Sequence, residues 1–198
     1  MQQRSEETRK QIVDTAQTLF AQHGYEATSV SEICDAAGLS KGAFYHHFPT
    51  KQMLFLELLD NWLDRIDNTL DQSRWEMADI PQAMIHMANT TKGIFQEADG
   101  GLPMFLEFWS QARLDPEIWQ ATIAPYHRYQ KYFKLLIKEG IAEGSLKDVN
   151  PHLAALMIVS LAIGMLLQYV LDPQGENWGE VATQSMHLLL DGLARREE

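Results

Sequence analysis

Apolar residues recur every three or four positions along almost the whole chain, and this spacing restricts the fold more than any other feature. The first stripe contains Ile12, Ala16, Leu19 and Phe20, and a repeat of this kind lies on one face of an α-helix. Runs that alternate apolar and polar residues between turn pairs, which would indicate strands, are absent. We therefore expect an all-α fold.

Glycines, prolines and capping residues divide this pattern into helices. Gly24 and Gly38 are placed to end the first two helices, and Pro49 stops the third. Asn150 followed by Pro151 is a cap with proline at the first helical position. The pattern predicts helices at about 5–23, 30–37, 41–47, 51–73, 81–97, 102–113, 116–143, 150–171 and 177–195.

Charge is distributed unevenly in a chain whose formal net charge is -11. Residues 1–51 contain five Lys or Arg and six Asp or Glu, whereas residues 52–198 contain eleven and twenty-one. The segment Ser40–Lys51 has no acid and is rich in hydrogen-bond donors. An acid on this segment would be repelled by the phosphates of a nucleic acid. The charge pattern therefore favours nucleic-acid contact here.

One stretch, residues 153–171, carries no charge and is long enough to span a bilayer. Its apolar character is reduced by Ser160, Gly164 and Gln168, and it has no clear basic flank. We interpret it as a helix buried between protein surfaces and expect no membrane partner. The N-terminal residues lack the apolar core of a signal peptide, and the single cysteine, Cys34, excludes an intramolecular disulfide. These features favour a cytoplasmic protein.

Residues 30–47 form a helix-turn-helix pattern, in which two short helices are joined by a turn that contains Gly38. On the second helix, Phe44 and Phe48 are four residues apart and point toward a small core. The opposite, outward face carries Lys41, Gly42, Tyr45 and His46. A recognition helix in a DNA major groove requires this combination: apolar side chains that hold it against the core, and hydrogen-bond donors on the opposite face.

The stretch Gly24–Phe55, GYEATSVSEICDAAGLSKGAFYHHFPTKQMLF, resembles the DNA-binding domain of the tetracycline-repressor (TetR) family of bacterial transcription regulators. The shared motifs are Gly-Tyr before the caps, Ala-Gly-Leu-Ser in the turn, and Lys-Gly-x-Phe-Tyr-x-His-Phe followed by a lysine. The resemblance implies about nine helices, with a helix-turn-helix DNA-binding domain at 1–50 and a ligand-binding and dimerisation domain at 51–198. It also implies a ligand-responsive regulator, most simply a repressor that a small hydrophobic inducer releases from a palindromic operator.

The same resemblance assigns contacts with double-stranded operator DNA to eight positions. These are Thr28 and Ser29 for phosphates at the start of the second helix, Ser40, Lys41 and Gly42 for bases and nearby backbone, Tyr45 and His46 for backbone and groove, and Lys51 for a phosphate. His47 points toward the first helix and is interpreted as a packing residue. The adjacent His46 and His47 diverge on a helix, so we expect no metal site.

Large, soft side chains are frequent in the second domain, and two interpretations of them stay open. Each residue alone is typical of a packed core, whereas the resemblance favours a ligand pocket lined by Trp62, Ile66, Met87, Phe105, Phe108, Trp109, Trp119, Tyr126 and Tyr129. The expected ligand is small and hydrophobic, with cationic or aromatic character left open. An inward Glu107 would favour a cation, but Ser110 and Gln111 lie three and four positions later and mark a polar face.

The last two helices are predicted to form a homodimer interface. The helix at 150–171 is apolar around its circumference, so one side needs cover from beyond its own domain. With the helix at 177–195 it would build a four-helix bundle across a two-fold axis. The residues assigned to this interface are Leu161, Ala162, Met165, Val181, Ser185 and Leu189.

Two other classes of function are alternatives to the regulator. A helical-bundle enzyme or small-molecule carrier without DNA function would use the aromatic residues as its site. The sequence contains no Glu-x-x-His pair and no Gly-rich phosphate loop, so we expect no catalytic residues, no metal and no cofactor. The third class, a membrane-anchored protein, would depend on the uncharged stretch at 153–171.

Overall fold

The fold is described by a computed structural model that covers residues 2–75, 77–90 and 109–193. Within these ranges every regular element is an α-helix and none is a β-strand. Residues 109–112 are also helical. The numbered helices, α1 to α8, are Gln2–His23, Val30–Ala37, Lys41–His47, Lys51–Trp75, Ile80–Thr90, Pro116–Glu143, Pro151–Leu171 and Trp178–Leu193. The prediction of an all-α fold is confirmed.

Helix ends follow the capping signals in the sequence. The helices α2, α3 and α6 have the predicted bounds. Gly24 and Gly38 have positive φ angles of 83° and 64°, a conformation that glycine adopts without the steric cost of a Cβ. The Asn150 side chain caps α7 by accepting from the amides of His152 and Leu153. The helices predicted at 81–97 and 102–113 extend into residues outside the described ranges.

The chain divides into two compact units. Unit 1 is Met1–Asp64 with Ala98–Thr122, and unit 2 is Arg65–Glu97 with Ile123–Glu198. The boundary between the two compact units along the chain falls within α4. The boundary at residue 50 that the resemblance implies for the DNA-binding domain stays a prediction. Unit 1 therefore contains the first half of α4 and the first turns of α6 in addition to the helix-turn-helix.

Unit 1 is built on the packing of α1, α2 and α3 against one another. An aromatic cluster joins the end of α1 to α4. Its ring centroids are 5.4 Å apart for Phe20 and Tyr25, 5.7 Å for Phe20 and Phe55, and 4.3 Å for Tyr25 and Phe55. Each such pair contributes about 0.5–1.5 kcal/mol beyond area burial. The cluster fixes the start of α4 beside the loop that follows α1.

Unit 2 has its own core, in which α8 packs on α5 and also touches α7. Two ion pairs link α4 to α6: Arg74 with Glu139, and Arg128 with Asp67 at 2.8 Å. The pKa of Arg74 is raised, first by its hydrogen bond to Glu139. The buried apolar side chains of this core include Leu70, Ile80, Met84, Met87, Ile137, Leu146, Ile158, Met186 and Leu190.

Among the described residues, α7 is the one helix that is long and apolar enough to cross a membrane by length and composition. Ile158 is buried in the core of unit 2, and Ala155 and Val159 are also buried, while Leu153 and Met157 on another side are exposed. Core helices of soluble proteins meet the same criterion, so the pattern is weak evidence for a membrane span. The exposure of Leu153 and Met157 shows that one apolar face of α7 remains accessible to solvent in the single chain.

Candidate nucleic-acid interface

The start of α2 is fixed by a reciprocal pair of hydrogen bonds. Ser29 Oγ accepts from the Glu32 amide at 3.2 Å, and Glu32 Oε2 accepts from the Ser29 amide at 2.7 Å. This is a capping box. The bond from the Ser29 amide is the main reason that the pKa of Glu32 lies below its usual value. Glu32 is therefore committed to holding the helix start, although it lies close to the candidate interface.

The turn between α2 and α3 is equally well defined. The left-handed Gly38 donates its amide to Asp35 O at 3.2 Å, and the Leu39 amide donates to Cys34 O at 2.9 Å. Ser40 then caps α3, since its Oγ accepts from the Ala43 amide at 3.1 Å. The Ser40 hydroxyl keeps its own proton to donate outward. The angle between the two helices is thus set by local bonds.

The short helix α3 has a buried side and an exposed side, as predicted. Phe44 is completely buried and Phe48 nearly so. The side chains of Lys41, Tyr45 and His46 are exposed, and Tyr45 leans edge-on against Phe44 with ring centroids 5.3 Å apart. Gly42 is exposed between them. The structure thus brings the predicted recognition residues of α3 together on one accessible face.

His47 lies on the α1 side of this helix and is half-buried. Burial is the main reason that its pKa is lowered, followed by the charges of His46 and Arg9. Its ring is 5.1 Å from the ring of His46 and steeply tilted to it. Among the described residues there is no group of three His, Cys, Asp or Glu side chains that could hold a metal.

Two residues assigned to phosphates are placed differently from the rest. Thr28 is completely buried, and its hydroxyl donates to Gly24 O at 2.8 Å, so its side chain is not part of the exposed face. The half-buried Lys51 donates from Nζ to Tyr25 O at 2.8 Å and to Thr28 O at 3.0 Å. The sequence motif does not predict these hydrogen bonds, because their acceptors are main-chain oxygen atoms of a loop much earlier in the sequence.

The first turn of α6 lies against the first turn of α4 within unit 1. Gln52 Nε2 donates to Glu117 Oε2 at 3.0 Å, and Asp115 caps α6 by accepting from the Glu117 amide at 2.8 Å. The pKa of Tyr25 is raised, first by burial and then by the charges of Glu26 and Asp115. Sequence reasoning missed this junction, which joins a distant segment to the base of the helix-turn-helix.

The nine residues assigned to a ligand pocket fall into three groups. Trp62, Trp109 and Trp119 belong to unit 1, and the last two are substantially exposed. In unit 2, Met87 is buried in the core, and Ile66, Tyr126 and Tyr129 are half-buried. The remaining residues, Phe105 and Phe108, lie outside the described residues, as does Glu107.

The residues assigned to the dimer interface also differ in exposure. Ala162 is exposed, whereas Met165 is buried in the single chain. The other four, which are half-buried, are Leu161, Val181, Ser185 and Leu189. The most exposed apolar side chains on these two helices are instead Leu153, Met157, Leu171 and Leu188. A helical-wheel plot would have found Leu188, because it lies opposite Met186 and Leu190.

Comparison with known families gives two matches along the chain. The family described as "Bacterial regulatory proteins, tetR family" matches residues 12–58. The family described as "BetI-type transcriptional repressor, C-terminal" matches residues 96–195. The first match contains the whole helix-turn-helix, and the second covers half of the chain.

Individual relatives agree with these families. The transcriptional repressor KstR2 of Rhodococcus jostii is 27% identical over 94% of this chain and 91% of its own length. The TetR family regulator PfmR of Thermus thermophilus is 30% identical, with a TM-score of 0.76 over 93% of this chain and 99% of that one. A transcriptional regulator of Saccharomonospora viridis, solved in complex with choline, is 21% identical with a TM-score of 0.81 over 96% and 100%.

Proposed function

This chain belongs to the tetR family of bacterial regulatory proteins, and on that premise we propose that it is a repressor that binds a palindromic operator as a homodimer and leaves it when a small ligand binds. The family makes it a DNA-binding transcription regulator with a helix-turn-helix. The operator contacts, the ligand and the dimer interface are the proposed parts. Each is supported by different residues.

The exposed face of α3 is the observation that carries the DNA-binding proposal. Phe44 anchors the helix in the core of unit 1, and the side chains of Lys41, Tyr45 and His46 point away from that core. Hydroxyl, ammonium and imidazole groups in this arrangement can donate to phosphates and to base edges. Ser40 extends the face at the N-terminal end of α3, and Gly42 allows close approach of the backbone to DNA.

Substitutions on this face test the DNA contacts. We expect Tyr45→Ala to weaken binding to the operator and to scrambled DNA alike, because a phosphate contact carries no sequence information. Lys41→Ala should in addition reduce the preference for the operator, by about 1–3 kcal/mol if its amine reaches a base edge. Fluorescence anisotropy with both duplexes measures these effects, and Lys138→Ala, which removes an exposed lysine of unit 2, is a control for loss of a charge outside α3. Unchanged affinity in both interface variants would contradict the assignment.

The ligand proposal rests on aromatic and sulfur-containing side chains of the C-terminal half. Unit 2 contains Tyr126 and Tyr129 on α6, together with the apolar residues Ile66 on α4 and Met87 on α5. Ring faces attract quaternary ammonium groups. The S. viridis regulator with the same fold was solved with choline, which makes a small cation with apolar methyl groups our first candidate. Trp62, Trp109 and Trp119 belong to unit 1 and are not part of this group.

Titration with choline chloride tests this ligand class. We expect choline to release the protein from its operator at concentrations where sodium chloride of equal ionic strength does not. By linkage, operator DNA should weaken choline binding by the same factor, typically about 5–150-fold for coupled sites. Identical curves for the two salts would exclude choline as the inducer and leave DNA binding to be judged separately.

A homodimer is proposed from the uncovered apolar face of α7 and α8. Leu153, Met157 and Leu171 on α7, and Leu188 on α8, are each about half or more exposed in the single chain. A self-complementary pairing of these helices would bury them across a two-fold axis. The dimer would also present two copies of α3 to two half-sites about one helical turn of DNA apart.

We propose a cytoplasmic location and no enzyme activity. A regulator of transcription acts where the bacterial chromosome lies, and the relatives named above are transcription regulators. No observation on the described residues favours the alternative of a helical-bundle enzyme. The exposed apolar face of α7 is assigned to the partner subunit, not to lipid.

A further inference from the structure

Lys51 is placed so that most of its hydrogen-bonding capacity is used inside the protein. Its Nζ donates to the carbonyl oxygens of Tyr25 at 2.8 Å and Thr28 at 3.0 Å. The same ammonium lies 4.1 Å from the centroid of the Tyr25 ring, within the range of a cation–π contact. Two of its three N–H groups are therefore directed at the loop between α1 and α2.

This loop, residues 24–29, leads directly into the cap of α2. Its carbonyls at Gly24, Tyr25 and Thr28 all accept from side chains, the first from the Thr28 hydroxyl and the other two from Lys51. Ser29 follows at once and forms the capping box with Glu32. The conformation that presents Ser29 therefore depends on an ammonium group from the start of α4.

The surroundings of Lys51 are consistent with a fixed cation. Leu54 and Phe55, in the same turn of α4, are completely buried, so the helix start cannot move away from the loop without opening the core of unit 1. Glu32 lies close enough that the Lys51 charge contributes to lowering its pKa, although its bonds to Ser29 are the larger cause. The ammonium is thus held by two main-chain acceptors and a ring face.

We propose that Lys51 is a positioning residue of the DNA interface: its ammonium fixes the α1–α2 loop, and with it Ser29 at the start of α2, and does not neutralise a DNA phosphate. This inference rests on the proposed DNA-binding function. Lys51, the first Lys or Arg after α3, is thereby assigned to support the DNA-contact surface and not to contact DNA directly. Loss of Lys51 should therefore disturb the loop in the absence of DNA.

The substitution Lys51→Met removes the ammonium and keeps a long apolar stem. We expect faster amide hydrogen exchange at residues 26–30 in the DNA-free protein. We also expect about tenfold weaker binding to an operator duplex selected from a random library, as for the loss of two hydrogen bonds of ordinary net strength. The dependence of log K on log salt concentration should keep its wild-type slope, because the variant neutralises as many phosphates as the wild type.

Lys41→Met is the matched control, because it removes an exposed lysine from the interface itself. Its salt dependence should become less steep, by about 0.9 for each phosphate that is no longer neutralised, while amide exchange at residues 26–30 stays at the wild-type rate. The proposal is overturned if Lys51→Met shows this same pattern: a shallower slope with an unchanged loop. A scrambled duplex measured in parallel shows whether the wild type prefers its operator. If it shows no preference, the proposed function is contradicted, whereas the role of Lys51 in fixing the loop is not.

A measurement on the wild type keeps the proposal testable if Lys51→Met does not fold. Lysine acetylation followed by mass spectrometry should label Lys51 about tenfold more slowly than Lys41 in the DNA-free protein, because its two hydrogen bonds must first break. Adding the selected duplex should protect Lys41 strongly and change Lys51 little. Equal labelling of the two lysines without DNA, with protection of both on binding, would show that Lys51 is a direct contact.

Discussion

Two tyrosines on α6, three residues apart, differ in the partner of the hydroxyl group. Tyr132 donates to Leu70 O at 3.2 Å, whereas the buried Tyr129 hydroxyl lies beside the charged side chains of Asp67 and Arg128. Burial raises the pKa of both, with Asp67 as the next cause for Tyr129 and Asp71 for Tyr132. Each hydroxyl thus links α6 to a group on α4 within unit 2.

Removal of the Tyr132 hydroxyl should therefore reduce stability. Tyr132→Phe should lower the free energy of unfolding by about 1 kcal/mol, since it leaves the Leu70 carbonyl without this donor. Urea denaturation of the ligand-free protein measures the difference. An unchanged free energy of unfolding would contradict a stabilising role for this hydrogen bond.

Stability should also depend on alkaline pH through Tyr132. Burial raises its pKa from 10.0 to about 12, so the folded state keeps the phenol proton when the unfolded state has lost it. Its contribution is complete below pH 10 and is lost as the pH rises through about 12. In urea unfolding across this interval, Tyr132→Phe should lose stability less steeply than the wild type. Parallel curves for the two proteins would contradict the raised pKa.

At the scale of elements, the turn and α3 contain two glycines with different backbone requirements. Gly38 has a φ of +64° that side chains rarely adopt, although nothing lies within 4 Å of the position a Cβ would take. Gly42 is an ordinary helical residue, and a Cβ there would approach only Ser40 Oγ, at 3.7 Å. Gly38 is thus needed for the turn, while nothing among the described residues requires Gly42.

Alanine at these two positions should separate stability from DNA binding. Gly42→Ala should stabilise the protein by about 0.5–1 kcal/mol, because alanine is the better helix former, and yet weaken operator binding if the α3 backbone approaches DNA closely. Gly38→Ala should destabilise it by about 1 kcal/mol or more, because of the left-handed conformation. Thermal denaturation and anisotropy titration of both variants provide the test. Unimpaired operator binding by Gly42→Ala would show that the α3 backbone does not approach DNA closely.

The helix-turn-helix could be predicted from the sequence because its determinants are local. Ser29, Gly38 and Ser40 each act on residues within five positions, so the bounds of α2 and α3 follow from the motif. The role of Lys51 could not be predicted from the sequence, since its hydrogen-bond acceptors depend on how α4 packs beside the α1–α2 loop. Exposure of Trp109 and burial of Met165 are likewise tertiary properties, which helical periodicity does not specify.

At the scale of the whole molecule, exposed apolar side chains on α7 and α8 predict a dimer. Leu188→Glu and Met157→Glu would each place a charge in the proposed interface, where it would be buried without a partner. We expect monomers by sedimentation equilibrium. Leu135→Glu is the matched control, because Leu135 is comparably exposed on α6 but lies outside this face, and it should remain dimeric. Dimers in all three variants would place the interface elsewhere.

The most direct test of the central claim is selection of DNA from a random-sequence library by the wild-type protein, followed by titration of the selected duplex and a scrambled one at physiological salt. We predict enrichment of a palindrome with half-sites about one helical turn apart, bound at least about 10³-fold more tightly than the scrambled duplex. Tyr45→Ala should lose most of its affinity for the selected duplex. Recovery of no enriched sequence, or equal affinity for the two duplexes, would contradict the assignment of α3 as a recognition helix.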